Sequence, residues 1–572
     1  MDSTITIALM GNCTTKYLAN ALTNECEKYS IPVNIYDSPF NQYNQELLDT
    51  SSGFYRSKPD VVIILLEGEI LMSAWYNINQ LQEDEDTKHK LIEDAYGSVI
   101  SVITKLIENT ESKIIFNNFK VSYYSPLGIF DNKTRLGLKA MLTQLNLKLE
   151  EWALDKKHVY IFDYNGLCSS YGHLRSTDPK LYYSTKSPFS ISFSKALARE
   201  YMRYILPLMS KNKKCLVLDL DNTLWGGVAG EDGISGIKLD IDGPAKSFYD
   251  FQKEILNLYN KGIILAINSK NNLQDAMEII ENHPHMLLRR KHFAAMRINW
   301  EDKVTNLKEI ARELNIGIDS LVFFDDNPVE RGLVKSLLPQ VGVVEVPEDT
   351  SKYAQALRDI VDFELLAITS EDIKRNQMYE DNQKRLEAKQ QYSSLEEYLQ
   401  SLETKIFIEP ANSFTVSRVA QLTQKTNQFN MTTKRYQTSD IEDMLKSRQC
   451  LVYTCQVTDK FGDNGLVGVC IIKIESDNAY IDSLLFSCRV LGRNIEYAFL
   501  SAIARWLFQN GIKTLHSRFI PTEKNTSNRD FYSLSGFELK HEEESERLFV
   551  LKSIEKLRSY DYIEIYFKDI PE

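Results

Sequence analysis

No stretch of this 572-residue chain approaches the ~20 consecutive apolar residues that a membrane-spanning helix needs, so no membrane partner is expected. A secretory leader is not expected either: the apolar run at residues 5–10 is short and no basic segment precedes it. Cysteine is sparse and scattered, with eight residues at 13, 26, 168, 215, 450, 455, 470 and 488 and no Cys-x-x-Cys pair. That spacing suggests neither a zinc site nor a disulfide framework, and it fits a reducing cytoplasm. Positive charge is in deficit as well. Lys and Arg number 67 against 79 Asp and Glu, and the net charge of −12 gives no overall field for a nucleic acid. Internal repeats and low-complexity tracts are missing.

What remains is ordinary globular composition, 43% hydrophobic and 26% charged. The length suggests about three or four domains. In residues 1–208, short apolar runs at 5–10, 61–66, 113–117 and 159–163 alternate with helical segments, which argues for a parallel α/β sheet. Residues 209–365 repeat that pattern with strands at 215–218, 263–268, 321–324 and 341–346. Residues 366–404 are strongly charged and read as a solvated linker helix. Residues 405–572 hold runs at 451–457, 466–474, 479–486 and 514–519 that read as antiparallel strands, with turns at 462–465 and 475–478.

The most informative run is 214–227. Leu216, Val217 and Leu218 read as a buried parallel strand that leads straight into Asp219 and Asp221. On extended backbone, residues i and i+2 point the same way. Two carboxylates so close repel by ~4 kcal/mol at an effective dielectric of about 20, and a hard cation such as Mg²⁺ is the natural counterweight. Three further elements contribute polar groups: Asn268, Ser269 and Lys270 after the second strand, Lys303 at a helix start, and Asp325 and Asp326 after the third. In a parallel sheet these ends converge at one edge. The set suits phosphoryl transfer through an aspartyl-phosphate. Asp219 would attack, Asp221 would act as acid and then base, Ser269 and Lys303 would hold phosphate oxygens, and Asp325 would complete a metal shell.

Asp219-Leu220-Asp221-Asn222-Thr223, followed in order by Ser269, Lys303 and Asp325-Asp326, resembles the haloacid dehalogenase (HAD) phosphohydrolases. The segments Asp221–Gly227, Ser269-Lys270-Asn271, Ile298-Asn299-Trp300 and Phe324–Arg331 look like the FkbH branch, and 424–430 and 489–493 are similar to FkbH-like segments. The resemblance implies a Mg²⁺ enzyme of subfamily IIIC that loads a three-carbon glyceryl unit from 1,3-bisphosphoglycerate onto the phosphopantetheine arm of an acyl carrier protein and removes its phosphate. It implies Asp219, Asp221, Asp325 and Asp326 as metal residues, with Asn268 beside the phosphate. Many FkbH members carry Cys immediately before the motif-two Ser, and Asn268 stands there instead. Asn cannot accept an acyl group as a thiolate does. A plain Mg²⁺-dependent phosphatase for a sugar or metabolite phosphate stays open beside the loading enzyme, as does a non-catalytic docking module.

The gaps after Gly227 and Asn271 leave room for a hairpin at 228–240 and for a helix and loop, not for a cap domain. The expected fold class is therefore α/β: a capless HAD Rossmannoid core flanked by an SGNH/flavodoxin-like α/β domain and a GNAT-like α+β domain. Arg289-Arg290-Lys291-His292 is either a contact for an acidic carrier or a solvated helix end. In the first domain, Met10–Thr15 looks like a degenerate SGNH block with Cys13 at the nucleophile position, a candidate acyl acceptor, and no Asp-x-x-His follows. In the third, Arg489, Gly492, Asn525 and Tyr532 match GNAT positions, and a groove there could take a pantetheine arm.

Overall fold

Short apolar runs buried on both faces set the architecture. In the first of two compact units, Met1–Leu206, strands β1 (Ile5–Gly11), β2 (Val33–Asp37), β3 (Val61–Leu65), β4 (Lys113–Asn117) and β5 (Val159–Phe162) pair in parallel in the order β2-β1-β3-β4-β5. β3 is apolar and buried along its whole length, as a strand covered on both faces must be. The helix Leu138–Ala153 turns Leu138, Met141, Leu142, Leu145 and Leu149 inward at helical spacing. This strand order is the flavodoxin-like one expected for the first unit. The computed structural model describes every residue except 1–3, 77–81, 369, 390, 448 and 570–572. Among the described residues no helix is long and apolar enough to cross a membrane.

The second unit, Pro207–Glu572, holds two sheets. The first comprises β6 (Cys215–Leu218), β7 (Ile264–Lys270), β8 (Phe293–Asn299), β9 (Leu321–Phe324) and β10 (Gly342–Val343). All pair in parallel in the order β10-β9-β6-β7-β8. The chain runs from β6 to β7 and β8 on one side, then crosses to β9 and β10 on the other. The topological switch point thus lies between β6 and β9, where the register pairs Leu218 with Phe324. Asp219 and Asp325, the next residue on each strand, emerge side by side.

The inserts behind these strands are small. Residues 228–240 form two short helical turns within Ala229–Gly236, broken by a kink at Gly233 with φ +60°, not the expected hairpin, and one antiparallel bridge from Gly226 to Lys238 closes their base. The Asp232 carboxylate accepts the Val228 N–H at 2.7 Å and favours the helical turn. Between β7 and β8 the helix Leu273–Asn282 and one 3₁₀ turn fill the gap. The sheet edge carries no inserted cap domain.

The second sheet has nine strands: β11 (Thr404–Pro410), β12 (Phe429–Asn430), β13 (Cys450–Asp459), β14 (Gly462–Glu475), β15 (Asn478–Phe486), β16 (Thr514–Phe519), β17 (Glu538–Glu542), β18 (Arg547–Leu551) and β19 (Ile563–Phe567). It is antiparallel except at the β15/β16 and β11/β19 pairs. The helix Ile495–Gln509 supplies the crossover from β15 to β16 and packs Ile495, Phe499, Ile503 and Leu507 into the core. Residues 462–465 lie inside β14 and are not a turn. The chain reverses at Lys460-Phe461, because the Asp459 side chain accepts the Phe461 N–H at 2.9 Å and starts the turn earlier.

The charged segment after the first of these sheets corrects the solvated-linker expectation. The helix Ser370–Lys389 buries Asp372, Asn376, Met378, Tyr379, Asp381 and Arg385. Tyr379 joins the core of the β6–β10 sheet with Cys215, Leu314 and Phe323. The Asn376 Nδ2 donates to the Tyr259 carbonyl at 2.6 Å, and the Arg375 guanidinium to the Gly262 carbonyl at 3.0 Å. Gly262 has φ +87°, and a Cβ there would meet the Asp372 carbonyl at 2.1 Å, so only glycine permits this approach. On the other side Arg385 grips Asp459 of β13 with two bonds of 2.8 Å, and Arg493 adds a third at 3.0 Å. Charge there is paired inside, not solvated. Asp459→Asn strands two buried guanidinium groups, so it should destabilise the protein by about 3–5 kcal/mol, read from the urea unfolding midpoint.

Candidate active site

Local sequence explains why each side chain reaches the switch point. β6 ends at Leu218, and the Asp219 N–H donates to the Phe324 carbonyl at 3.0 Å, which locks the register of the two loops. The loop after Asp219 folds inward through Leu220, Leu224 and Trp225, all fully buried. The helix Lys303–Glu313 starts where it does because the Asp302 carboxylate caps the Thr305 N–H. The helix Pro328–Leu337 follows an Asn327 cap with Pro at its first position.

Asp219, Asp325 and Asp326 each offer an oxygen within 4.8 Å of the others. Lys303 Nζ sits between the first two, 2.9 Å from Asp219 Oδ1 and 2.5 Å from Asp325 Oδ2. Three of the four lie in a dry setting, with Asp325 fully buried, Lys303 3% exposed and Asp219 7% exposed, and Asp326 is half-buried. Burial and then the Asp219 carboxylate push Asp325 up to about 6, against the pull of Lys303. Asp326 is raised for the same two reasons in the same order. Lys303 is itself raised, as its two carboxylate neighbours outweigh its burial. Three carboxylates against one ammonium leave two negative charges without a partner. Asp219 Oδ1 is buried and makes no hydrogen bond of good geometry, its contact to Lys303 being an ion pair. An all-oxygen donor set of this charge fits a hard divalent cation.

Asp221 is elsewhere. Its Oδ1 accepts from Trp225 Nε1 at 2.9 Å and from the Ala229 N–H at 3.1 Å, and its Oδ2 accepts from Asn271 Nδ2 at 2.9 Å. These donors occupy both oxygens, so the expected metal role of this carboxylate is replaced by a fixed position at the cluster's edge. Burial raises its carboxyl despite those donors, as a general acid requires. Ser269 lies near the end of β7 and is 1% exposed. Asn268, expected beside the phosphate, has no exposed surface, and its amide bonds to Lys303 and Asn306. Its side-chain amide is taken up by these partners inside the fold.

Two residues without an expected role act here. Asn271 steadies Asp221. Arg331 donates to the carbonyls of Asp325 and Asp326 at 2.7 and 2.8 Å and clamps the acidic turn. Both sit inside the quoted motif strings, but their hydrogen-bond targets depend on three-dimensional loop shapes that spacing does not reveal.

The other candidate sites do not assemble. Arg289 caps the end of the Leu273–Asn282 helix by donating to the Ile280, Glu281 and His283 carbonyls. Its stretch precedes β8, at the sheet edge opposite the acidic cluster. Cys13 is buried, and burial with the nearby Glu67 and Asp37 carboxylates pushes its thiol well up, so the thiolate needed for acyl acceptance is disfavoured. In the nine-stranded sheet, Asn525 is fully buried and braces a turn through Thr522, Ile520 and Asn430. Tyr532 is packed among Phe531, Phe537 and Phe549. Arg489 lies against Met378 Sδ. At the start of the Ile495–Gln509 helix, the Glu496 carboxyl takes up the Gly492 and Glu496 backbone amides, and burial raises it to about 7. The cradle expected for a pantetheine arm is filled from within.

The raised carboxyls fix a pH dependence. Unfolded, these aspartates titrate near 3.8. The cation-free folded state holds more protons than the unfolded chain between that value and about 6, so stability falls as pH rises through this window. A bound divalent cation removes the repulsion. The rise in melting temperature on adding Mg²⁺ should therefore grow from about pH 5 to about pH 7, and Asp325→Asn should flatten it, as differential scanning fluorimetry would read.

The model of the FkbH N-terminal domain matches residues 6–205. No curated protein matches the chain. A crystal structure of the N-terminal part of the protein BF1531 from Bacteroides fragilis, containing a phosphatase domain and complexed with Mg, is 32% identical. The match covers 64% of this chain and 95% of that one, at a TM-score of 0.59. The ribosomal-protein-S18-alanine N-acetyltransferase from Escherichia coli aligns with 26% of this chain and 92% of its own at 13% identity, with a TM-score of 0.21. On the domain match and the well-covered Bacteroides relative, the chain belongs to the FkbH-like proteins.

Proposed function

We propose that the chain is a Mg²⁺-dependent phosphatase of HAD type working through an aspartyl-phosphate on Asp219. The observation that carries this is the buried Asp219–Lys303–Asp325 core with a raised, fixed Asp221 on its edge. Asp219, Asp325 and Asp326 would hold Mg²⁺, which when bound screens the approach of one anion to another and draws charge from the phosphoryl group. An Asp219 oxygen attacks phosphorus as the bond to the leaving oxygen breaks. Asp221, whose carboxyl is raised by burial, gives a proton to that oxygen. The resulting Asp221 carboxylate then takes a proton from the water that attacks phosphorus, phosphate leaves, and Asp219 is restored. Lys303 offsets charge on the nucleophile and the phosphoryl oxygens, and the Ser269 hydroxyl donates to one of those oxygens.

The substrate assigned is a three-carbon acyl unit from 1,3-bisphosphoglycerate, and the acceptor is the phosphopantetheine thiol of an acyl carrier protein. Membership in the FkbH-like family supports this assignment. An edge free of an inserted cap also supports it, since an arm borne by another protein can enter. In the second unit, Cys215 opens β6 at the far end of the strand, and Cys450, Cys455, Cys470 and Cys488 lie in or beside the nine-stranded sheet. The carrier thiol attacks the C1 acyl carbon directly and expels the C1 phosphate, with no stop on an enzyme thiol at this edge, and the C3 phosphoryl group is the one that Asp219 removes. Asn268 in place of Cys favours one alternative, hydrolysis of a sugar or metabolite phosphate with no transfer.

The test is intact-mass analysis after incubation with Mg²⁺, a 1,3-bisphosphoglycerate-generating system and phosphopantetheinylated carrier. A glyceryl adduct on the carrier is expected, and phosphate release without the adduct selects the alternative. Asp219→Asn should abolish removal of the C3 phosphoryl group, leaving no dephosphorylated glyceryl adduct, and Asp221→Asn should lower kcat for that step by about 10²–10⁴. Full activity in Asp219→Asn would overturn the aspartyl-phosphate reading.

A further inference from the structure

Behind Lys303 lies a chain of three amides, Asn268 and Asn306 buried and Asn299 half-buried, that the reaction itself does not use. Asn268 follows Ile267, which pairs with Leu218 across β6 and β7, so it stands beside Asp219 with no exposed surface. Its Nδ2 donates to the Lys303 carbonyl at 2.9 Å, and its Oδ1 accepts from Asn306 Nδ2 at 3.1 Å. Asn306, 1% exposed, lies one turn along the Lys303–Glu313 helix. It exchanges hydrogen bonds with Asn299, the last residue of β8: its Nδ2 donates to Asn299 Oδ1 at 2.9 Å, and Asn299 Nδ2 returns to its Oδ1 at 3.3 Å. Asn299 Oδ1 also takes the Glu301 N–H at 3.1 Å, which shapes the loop into the helix. Three amides therefore tie the ends of β7 and β8 to the backbone of Lys303.

This network does more than hold a helix. Asp302 already caps that helix. The neighbours of Asn268 on β7, Ala266 and Ile267, show that apolar side chains pack well along this strand. Buried polar groups are kept where they specify a single arrangement. The arrangement specified here is the origin of the Lys303 side chain. A lysine ammonium is a point charge on a flexible stem, so its backbone anchor decides which acceptors it can reach. From this anchor Nζ reaches Asp219 and Asp325 together.

We infer that Asn268, Asn299 and Asn306 are positioning residues that aim Lys303 at Asp219 and Asp325, with Asn268 as the pivot. The inference rests on the phosphoryl-transfer reading of Asp219. It gives position 268 a task of its own, that of an amide that donates to one partner and accepts from another, where a thiol could not do both equally well.

A double-mutant cycle tests it. Asn268→Ala and Asn306→Leu are made in the wild-type chain and in Lys303→Met, and Mg²⁺-dependent hydrolysis of p-nitrophenyl phosphate is measured. Each amide variant should lower kcat by more than about tenfold with KM changed less than about threefold. In the Lys303→Met background the same substitutions should change kcat by less than about twofold, since the group they act through is gone. Equal losses in both backgrounds, or wild-type kcat in both amide variants, would overturn the inference. Asn376→Ala removes a buried amide far from the acidic cluster, and it should lower the melting temperature while leaving kcat unchanged. Should Asn268→Ala fail to fold, Asn268→Asp keeps the shape and the Asn306 bond while losing the donor to Lys303. A wild-type chain inert toward this ester would count against the phosphatase reading. The positioning inference would then be decided by the same cycle in melting temperatures, where coupling of more than about 3 °C between positions 306 and 303 supports it and additive shifts overturn it.

Discussion

The structure around the switch point is organised by one electrostatic constraint: carboxylates of like charge held together out of water. The β6/β9 register sets Asp219 beside Asp325, and the turn after β9 adds Asp326. At ~5 Å and an effective dielectric of about 20, each such pair costs several kcal/mol. Lys303 offsets part of this, Arg331 fixes the turn that carries two of the three acids, and the amides behind Lys303 fix its reach. The burial that makes the cluster costly also separates the acids by role. Asp221, its carboxyl raised by burial, is held at the margin, while the cluster proper stays poised for a cation.

Much of this was legible in the sequence, for a physical reason. A parallel strand buried on both faces must be apolar along its length, so its end is marked where polarity returns. β6, β7 and β9 each show that break, and Asp219, Ser269 and Asp325 sit at or just past it. Lys303 was legible as the opening residue of an amphipathic helix. The roles within the cluster were not. Whether Asp221 faces a metal or three hydrogen-bond donors depends on how the loop to Ala229 folds back. Asn268 read as a substrate contact because it precedes Ser269, yet alternation along the strand turns it inward to the Lys303 helix. In the nine-stranded sheet, β17 went unread because it is exposed throughout and carries no apolar run.

Resemblance to active folds was least informative in the flanking regions. Cys13 was expected at a nucleophile's position, but its surroundings are anionic and dry. The helix start at Glu496 was expected to cradle an anion, but a buried carboxyl raised to about 7 already lies against its amides. In each case local charge and burial oppose the chemistry that the sequence motif suggested.

The charged helix 370–389 carries a last consequence. It contributes Tyr379 to the core of one sheet, and through Arg385 it anchors the only acid that neutralises Arg493 of the next among their described contacts. A segment with the composition of a tether is thus part of the interior on both sides. The catalytic sheet and its C-terminal neighbour cannot be recombined as interchangeable cassettes. Any graft at this joint would have to bring its own tyrosine, its own arginine and a glycine able to stand where Gly262 does.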